Sequence, residues 1–218
     1  MATTSAYIIR EVQRNLNDLN GDRYPATDVA GFVNRAQRDI HSVRPDVTAS
    51  NFQFIPVAGA KQALPQEASV LIDVPANAEG NQRRITKVDM EMLDASEPNW
   101  RSKQGAIEIK HFMHDQRVPR SFWLYPPAAA TGVSVELEAS LYPIDITQPT
   151  GAASSTATGN ISLRDEWATA LIFVSTSYAM LTDLEGEANP SLASSYLARA
   201  EQLLGVQLQS SAAVAPKN

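Results

Sequence analysis

The residues best suited to bind a metal ion lie close together at positions 108–115. His111 and His114 supply imidazole nitrogens, and Glu108 and Asp115 supply carboxylates beside them. If this segment is a strand, side chains three positions apart point to opposite faces, so the two histidines cannot bind one ion without a turn. A solvated loop is therefore favoured over a metal site, and we expect neither a metal nor a cofactor.

Two pairs of carboxylates are the next candidates for chemistry. Glu136 and Glu138 share one face of a predicted strand, and so do Asp89 and Glu91. Paired carboxylates hydrolyse glycosides when one lies in a dry pocket and their separation suits the mechanism. On an alternating strand they more often form the solvent-exposed face. The sequence therefore predicts no catalytic carboxylate pair.

The aromatic residues at positions 122–125 raise the question of a stacking platform for sugars or single-stranded nucleic acid. Because adjacent strand residues face opposite ways, only Trp123 and Tyr125 share a side, and core packing accounts for Phe122. The chain has no Gly-x-Ser-x-Gly motif, no Gly-rich phosphate loop before Lys-Ser or Lys-Thr, and no zincin helix. We expect no catalytic residues and no enzyme.

Composition excludes several further classes of protein. The 218 residues include no cysteine, which rules out disulfides, thiolate nucleophiles and cysteine-based metal sites. A net charge of −6 argues against a protein that grips nucleic acid through a basic surface. The first residues do not resemble a secretion signal, and the apolar stretch 167–181 is too short to span a bilayer. We expect a protein that stays in the cytoplasm, or is built into something assembled there, without membrane contact.

A helical hairpin is predicted near the start of the chain, over residues 5–44, from apolar residues at helical spacing. Asn20-Gly21 is expected to end the first helix, since these residues tolerate a positive φ. Thr27 is a suitable N-cap for the second helix, and Pro45 ends it.

A second helical pair is predicted over residues 162–204, with Ser162 and Asn189 as N-caps and Gly205 as the stop. Its first helix is apolar nearly all round and must be covered on more than one side. Neither pair can bury its apolar face within its own hairpin. We therefore expect 1–48 and 160–205 to form one helical bundle.

The middle of the chain has the period-2 pattern of strands, which predicts an inserted antiparallel β-sandwich or barrel-like domain over 49–143. The alternation at 88–92 predicts a half-buried strand, and Pro126-Pro127 is expected to end another. Residues 144–159, rich in small and polar residues, predict an extended loop, and 206–218 a flexible tail. The predicted fold class is α+β.

Several short motifs, in this order along residues 7–204, resemble the head-to-tail adaptor proteins of tailed bacteriophages, in particular the portal-proximal adaptors of podophages. Each motif is short, and it is their order that gives the match its weight. They are Arg23-Tyr24-Pro25, Gly59-x-x-Gln62-x-Leu64-Pro65, Leu93-Asp94, Pro98-Asn99-Trp100, the run from Pro119 to Pro127, and Leu141-Tyr142-Pro143.

The resemblance implies a structural virion protein at the head-to-tail interface. Copies would form a ring, commonly of twelve, beneath the portal protein, extend the DNA channel and offer the far side to a tail nozzle or tube protein. Genomic DNA would pass through without sequence-specific binding, and the particle would be assembled in the host cytoplasm. In that family a C-terminal segment often runs along the portal, which implies the portal interface Gly205, Val206, Leu208, Val214, Pro216, Lys217 and Asn218.

The helix that is apolar nearly all round is a candidate for contact with a neighbouring subunit, because it could serve both its own bundle and the next copy. The predicted subunit-interface residues on this helix are Trp167, Leu171, Phe173 and Tyr178.

Two other classes of protein remain open. A non-catalytic β-sandwich module would bind a protein or carbohydrate ligand through residues 49–143. A carboxylate hydrolase would need a deep pocket that joins Glu136 or Glu138 to an acid of raised pKa.

Overall fold

The computed structural model describes residues 3–182, 190–206 and 208. Its contacts divide the chain into two compact units. The helical unit comprises the described residues of Met1–Thr48 and Pro143–Asn218, and the β unit comprises Ala49–Tyr142. The described residues contain five α-helices and seven strands in two sheets, so the predicted α+β class is confirmed.

Four of the five helices belong to the helical unit, and the third belongs to the β unit. Four short 3-10 turns accompany them, at Pro45–Thr48, Trp100–Ser102, Ser154–Thr156 and Asp165–Trp167. The helices are α1 (Ser5–Asn15), α2 (Ala26–Val43), α3 (Met90–Ser96), α4 (Ala168–Thr182) and α5 (Pro190–Leu204).

Helix α4 is the central element of the helical unit, and it packs against α1, α2 and α5. This explains why its sequence is apolar nearly all round, because three helices of its own unit cover it. Its small polar residues are accommodated within the helix: the hydroxyls of Ser175 and Thr176 donate to the carbonyls of Leu171 and Ile172, both at 2.8 Å.

Helix α1 ends five residues before the predicted Asn20-Gly21 stop. Asn17 takes a positive φ of 57°, its N–H donates to the carbonyl of Arg14 at 3.0 Å, and the N–H of Asp18 donates to that of Gln13 at 2.9 Å. These two bonds form a Schellman cap. The prediction failed because two neighbouring positions, Asn17 and Asn20-Gly21, both permit left-handed backbone, and the sequence alone does not rank them.

Two predicted N-caps are also wrong. Helix α2 starts at Ala26, ahead of Thr27, with no side-chain cap, and the Ala26 N–H instead donates to the carbonyl of Ala152 at 3.0 Å. Helix α4 starts only at Ala168, while Ser162 binds Ile144 through its hydroxyl. A contact from a distant segment therefore takes the place of the cap at α2, whereas α4 is preceded directly by the 3-10 turn Asp165–Trp167. The predicted cap Asn189 lies outside the described residues.

The end of α5 agrees with its prediction. The helix finishes at Leu204, and Gly205 follows with a φ of +67°, a conformation that favours glycine over residues with a side chain.

The β unit contains a three-stranded sheet in the order β1-β7-β3 and a four-stranded sheet in the order β2-β6-β5-β4. All pairs are antiparallel except β4 with β5, which is parallel, so the fully antiparallel prediction is wrong at that edge. The strands are β1 (Ala49–Phe54), β2 (Gly59–Ala63), β3 (Ala68–Asp73), β4 (Thr86–Lys87), β5 (His111–His114), β6 (Ser121–Ala128) and β7 (Val135–Leu141).

The two sheets contribute to one apolar cluster. Leu71, Val135 and Leu137 from the first sheet pack in the same buried cluster as Phe112 and Phe122 from the second. Buried and half-exposed residues alternate along most of β7, and this is the pattern from which the strand was predicted.

The predicted strand at 88–92 is wrong, because Met90–Ser96 forms helix α3. Asp89 is its N-cap, and the side chain accepts the N–H of Glu91 at 3.1 Å. Residues 88–92 are too few for their periodicity to distinguish a strand from about one and a half turns of helix. The residue that helix α3 buries is Leu93.

Strand β6 does not end at Pro126-Pro127 but continues to Ala128, with a cis Tyr125–Pro126 bond. Proline removes a donor but keeps its carbonyl, and here the carbonyl of Pro127 accepts the N–H of Ala106 at 2.8 Å. The facing strand β2 has a register shift between Gly59 and Lys61, an irregularity of the kind at which strands tolerate proline.

Candidate functional site

The two histidines of the predicted metal cluster lie at opposite ends of β5, and each has its own structural partner. The His111 ring stacks on Tyr125, with centroids 5.9 Å apart, and its Nδ1 lies 2.6 Å from Thr86 Oγ1. His114 Nε2 lies 3.3 Å from the Pro119 carbonyl, and burial lowers the pKa of this imidazole. Over the described part of the chain, no three metal-binding side chains converge.

The carboxylates beside these histidines form surface ion pairs. Glu108 pairs with Arg83 at 2.9 Å, and Asp115 pairs with Arg117 at 3.2 Å. The Arg117 backbone N–H, followed by its side chain, holds the pKa of Asp115 below its ordinary value. Both carboxylates are thus occupied by arginines, and the lowered pKa of Asp115 is the opposite of what a general acid requires.

Glu136 and Glu138 are half-exposed on β7, where they face Gln53 and Asn51 of β1. On the other side of β7, Glu138 is paired with Asp73 of β3, so its cross-strand neighbours are an amide and a carboxylate. The second pair suggested by the sequence, Asp89 and Glu91, no longer shares a strand face, because both belong to the start of α3.

The motif Gly59-x-x-Gln62-x-Leu64-Pro65 builds a rigid loop before β2. Gln62 is almost fully buried, and its Oε1 accepts the N–H of Val57 at 2.9 Å while its Nε2 donates to the carbonyls of Val57 and Gly59 at 2.8 and 2.9 Å. The loop carries Ile55 and Val57, which are 76% and 64% exposed. The buried amide therefore holds two aliphatic side chains at the surface, available to a partner.

A second motif, Leu93-Asp94 with Pro98-Asn99-Trp100, builds a polar cluster around a buried ring. Trp100 is fully buried, and its Nε1 donates to Asp94 Oδ1 at 2.7 Å. Arg101 donates to both oxygens of Asp94, at 2.6 and 3.1 Å. These bonds, from Arg101 first and Trp100 second, hold the pKa of Asp94 below its ordinary value.

The same cluster continues to the aromatic strand β6. The Tyr125 hydroxyl donates to Glu97 Oε2 at 2.7 Å, and Lys103 pairs with the same carboxylate. The Trp100 ring meets Tyr125 edge-on, with centroids 6.3 Å apart. On the face that Trp123 and Tyr125 share, side chains of the same unit therefore cover Tyr125. Trp123 stays partly exposed.

The four predicted subunit-interface residues differ in their exposure. Leu171 is fully buried in the core of its own helical unit, whereas Trp167, Phe173 and Tyr178 are half-buried at its margin. The guanidinium of Arg44 lies over Trp167, 4.4 Å from the ring centroid. Only the three aromatic residues present surface that a neighbour could touch.

Tyr178 is further fixed by polar contacts within the helical unit. Its hydroxyl donates to Asp39 Oδ2 at 2.8 Å, and the guanidinium of Arg35 lies 4.7 Å from its ring centroid. Burial, and then the bond to Asp39, raise the pKa of the phenol well above its ordinary range. The ring is thus held in one orientation at the surface of the unit.

The predicted portal-interface segment begins inside the helical unit. Val206 packs against the core of this unit, and Leu208 belongs to it, with an N–H that donates to Glu201 Oε1 at 2.7 Å. Gly205 forms the turn between them and α5. The remaining predicted residues, Val214, Pro216, Lys217 and Asn218, lie outside the described part of the chain.

Buried polar residues of α1 and α2 bind the loop 144–159, and the sequence reading overlooked them. Asn34 Oδ1 accepts the N–H of Ile146 at 2.9 Å, and Gln13 Nε2 donates to the carbonyl of Ala152 at 3.1 Å. Ser5 donates its hydroxyl to the carbonyls at 158 and 159. Their position on the apolar faces of predicted helices was the available signal, since a buried polar side chain requires a partner.

Gln37 and Gly21 complete this attachment. Gln37 Oε1 accepts the N–H of Ser162 at 2.8 Å, immediately after the loop. Gly21 has a φ of +70°, and a Cβ at this position would lie 2.5 Å from the Ala152 carbonyl oxygen, so the loop passes directly over it.

Large apolar side chains are exposed on both units, as expected for a protein with several partners. In the helical unit they are Tyr7, Leu19, Val43, Ile144, Leu181, Leu192 and Leu203, and in the β unit they are Ile55, Val57, Ile72, Met92, Ile107, Val118 and Tyr142.

No helix within the described ranges combines the length and the apolar character that a bilayer crossing requires.

The described residues thus form an α+β fold in two units, with polar clusters that bind loops and helices and with apolar side chains exposed on each unit. The family model of the SU10 adaptor protein matches residues 3–217. The chain therefore belongs to the SU10 adaptor protein family, a family of structural adaptors of bacteriophages. The resemblance to phage adaptors predicted from the motifs is confirmed. No curated protein matches the sequence significantly.

Proposed function

We propose that this protein forms a ring, of twelve copies, beneath the portal of the virion, where it extends the DNA channel and docks the tail nozzle. The observation that carries the proposal is the family match over nearly the whole chain, residues 3–217. The ring is assembled in the host cytoplasm and remains at the head-to-tail interface.

Charge supports a channel through which DNA slides without being held. The chain carries 24 acidic residues against 18 basic residues. A surface with an excess of carboxylates repels the phosphates and lacks the counterion release that drives nucleic-acid binding. DNA thus passes through the channel without being bound by the protein.

The contact between neighbouring subunits runs through Trp167, Phe173 and Tyr178. Aromatic side chains give large contact areas at low entropic cost, and two of these three are already oriented by arginines, Arg44 and Arg35. Leu171, which was predicted with them, supports this face from within the core.

The contact with the portal is made by residues 209–218, after the point at which Leu208 is anchored in the helical core. Truncation after Leu208 is expected to leave thermal stability unchanged and abolish portal binding. Truncation after Gly205 is the matched comparison, because it also removes Leu208 from the core and lowers stability. A full-affinity complex between the portal and the chain truncated after Leu208, in a pull-down, would reject this assignment.

Native mass spectrometry and electron microscopy with the portal protein of the same phage test the function directly. We expect the purified subunit to be monomeric, because ordering of segments on assembly adds contact area at an entropic cost. A ring should appear only when the portal is added. A stable ring without portal would refute templating, and failure to bind the portal would refute the adaptor role itself.

The contacts of Tyr125 weaken the alternative of a carbohydrate-binding β module. The β unit has its own apolar cluster, but the Tyr125 ring and hydroxyl are engaged by Trp100, Glu97 and Lys103. A sugar could thus stack on Trp123 but not on Tyr125, the second ring considered for a stacking platform.

A further inference from the structure

A cleft of about 810 Å³ lies in the β unit beside the start of α3 and the end of β5. Trp123, Met90 and Met113 line it together with polar residues. Methionine side chains adapt their shape to different partners, and an indole presents a large flat face. The cleft therefore has the apolar surface needed to receive a side chain from another molecule.

Arginine covers the other two tryptophan rings of this protein. Arg44 lies over Trp167 at 4.4 Å from the centroid, and Arg101 lies over Trp100 at 4.5 Å. Such placements are favourable because the face of the indole ring is negative. Within the described residues Trp123 is the tryptophan without a cation over it, although it borders an open cleft.

The charges that line the cleft favour a cation. Two of its carboxylates, Asp94 and Asp115, are already paired with Arg101 and Arg117. Asp89 and Glu91 have no ion-pair partner among the described residues. The complete charged lining consists of the carboxylates Asp89, Glu91, Asp94 and Asp115 and the cations Lys87 and Arg117.

We propose that this cleft binds an arginine side chain, flanked by apolar residues, on an extended segment of a partner protein. The guanidinium lies over Trp123 and between the carboxylates of Asp89 and Glu91, and the aliphatic part contacts Met90. A planar, weakly hydrated cation suits this combination of an aromatic face and carboxylates better than an ammonium group does. The inference does not depend on the ring or the portal, since it concerns the free subunit.

The test is an NMR titration of the full-length protein with the peptide acetyl-Gly-Leu-Arg-Leu-Gly-amide, followed at the indole N–H of Trp123. We expect a saturable shift of this signal. The double variant Asp89→Asn, Glu91→Gln should weaken binding by roughly three- to tenfold, since two close charges are lost. Asparagine also caps helices well, so the substitution preserves α3.

Glu136→Gln, Glu138→Gln is the matched control, because it removes two negative charges from β7 in the same unit. Its affinity should equal that of the unmodified protein. The same peptide with citrulline in place of arginine, which has the same shape without the charge, should bind at least roughly threefold more weakly. Trp123→Phe keeps an aromatic ring and should also weaken binding, which is followed in this variant at the backbone N–H of Glu91 because the Trp123 indole is gone.

Three results would overturn the inference: no saturable shift, equal affinity for the citrulline peptide, or equal weakening by the β7 control variant. A shift of the Trp123 signal with methyl glucoside but not with the arginine peptide would also overturn it and would assign the cleft to sugars. Portal binding is measured separately, so failure here leaves the adaptor function untouched.

Discussion

Two segments of this protein are attached to their units by different kinds of contact. The loop 144–159 is bound to the helical unit by almost fully buried neutral amides, in particular Asn34 and Gln13, with one exposed ion pair between Arg38 and Asp145. The segment from α3 to Lys103 carries two ion pairs within itself, Asp94–Arg101 and Glu97–Lys103, and it contacts the rest of the β unit through the buried ring of Trp100 and the bond from Tyr125 to Glu97.

This difference has a physical consequence for assembly. Buried neutral hydrogen bonds are little affected by salt or pH, and their loss leaves a backbone group without a partner. Surface ion pairs are screened by salt and disappear when their carboxylates are protonated. The hydrogen bonds of Asn34 and Gln13 to the loop are thus little affected by salt or pH, whereas the ion pairs within the α3 segment respond to both.

The largest effect is expected for Trp100→Ala. Removal of a fully buried indole leaves a cavity and also frees Asp94 from one of its donors, so the free energy of unfolding should fall by about 3–5 kcal/mol. Chemical denaturation measures this. The control is Met92→Ala on the preceding helix α3, where the side chain is 61% exposed and the loss should be below about 0.5 kcal/mol.

Asn34→Leu should follow, with a loss of about 1–3 kcal/mol, because the N–H of Ile146 then remains buried without an acceptor. Hydrogen exchange at the Ile146 amide should accelerate markedly, while the amides of α3 keep their protection. Gln53→Leu, at an exposed amide of β1, serves as the control. Unchanged exchange at Ile146 would show that the loop is held by other contacts.

A smaller effect concerns pH. Arg101 and Trp100 lower the pKa of Asp94, and Lys103 and Tyr125 lower that of Glu97, so both carboxylates bind protons less readily folded than unfolded. The stability they contribute is present above their ordinary pKa values, near 4, and is lost as pH falls through the lowered folded values. The melting temperature should therefore be lower at about pH 3 than at about pH 6, as measured by thermal unfolding.

The double variant Asp94→Asn, Glu97→Gln should show less of this decrease than the unmodified protein does, because the two titrating groups are gone. An identical pH dependence in both proteins would assign the loss of stability to other carboxylates, such as Asp18, whose pKa is also lowered. Burial opposes that shift, and the N–H groups of Tyr24, Arg23 and Asp22 produce it.

The smallest effect is expected from salt. Raising the salt concentration to about 1 M screens exposed ion pairs, so exchange of the α3 amides should accelerate slightly while exchange at Ile146 stays constant. Equal acceleration at both places would erase the contrast between the two segments.

Long periodic elements could be predicted from the sequence, whereas short ones and their attachments could not. The patterns of α2 and β7 extend over several turns or pleats and indicated their structure directly. Helix α3 has 7 residues, which is too few for its period to differ clearly from that of a strand. Its cap, Asp89, was instead assigned to the exposed face of a strand.

The attachment of the loop 144–159 was the main feature that the sequence could not reveal. Its acceptors and donors are backbone groups far along the chain from Asn34 and Gln37, and the loop itself has no periodicity. The partners of the candidate metal and carboxylate residues, such as Thr86 for His111, could not be predicted either, because they depend on strand pairing.

The β unit begins and ends with two strands, β1 and β7, that lie side by side. Ala49, its first residue, is paired with Ser140, two positions before the unit ends at Tyr142. Because neighbouring strands are about 5 Å apart, a short turn between Thr48 and Pro143 would be long enough to replace all of the residues between them. The two ends of the β unit are therefore close enough for one short turn to join them, so the chain could be shortened by this unit without stretching the connection.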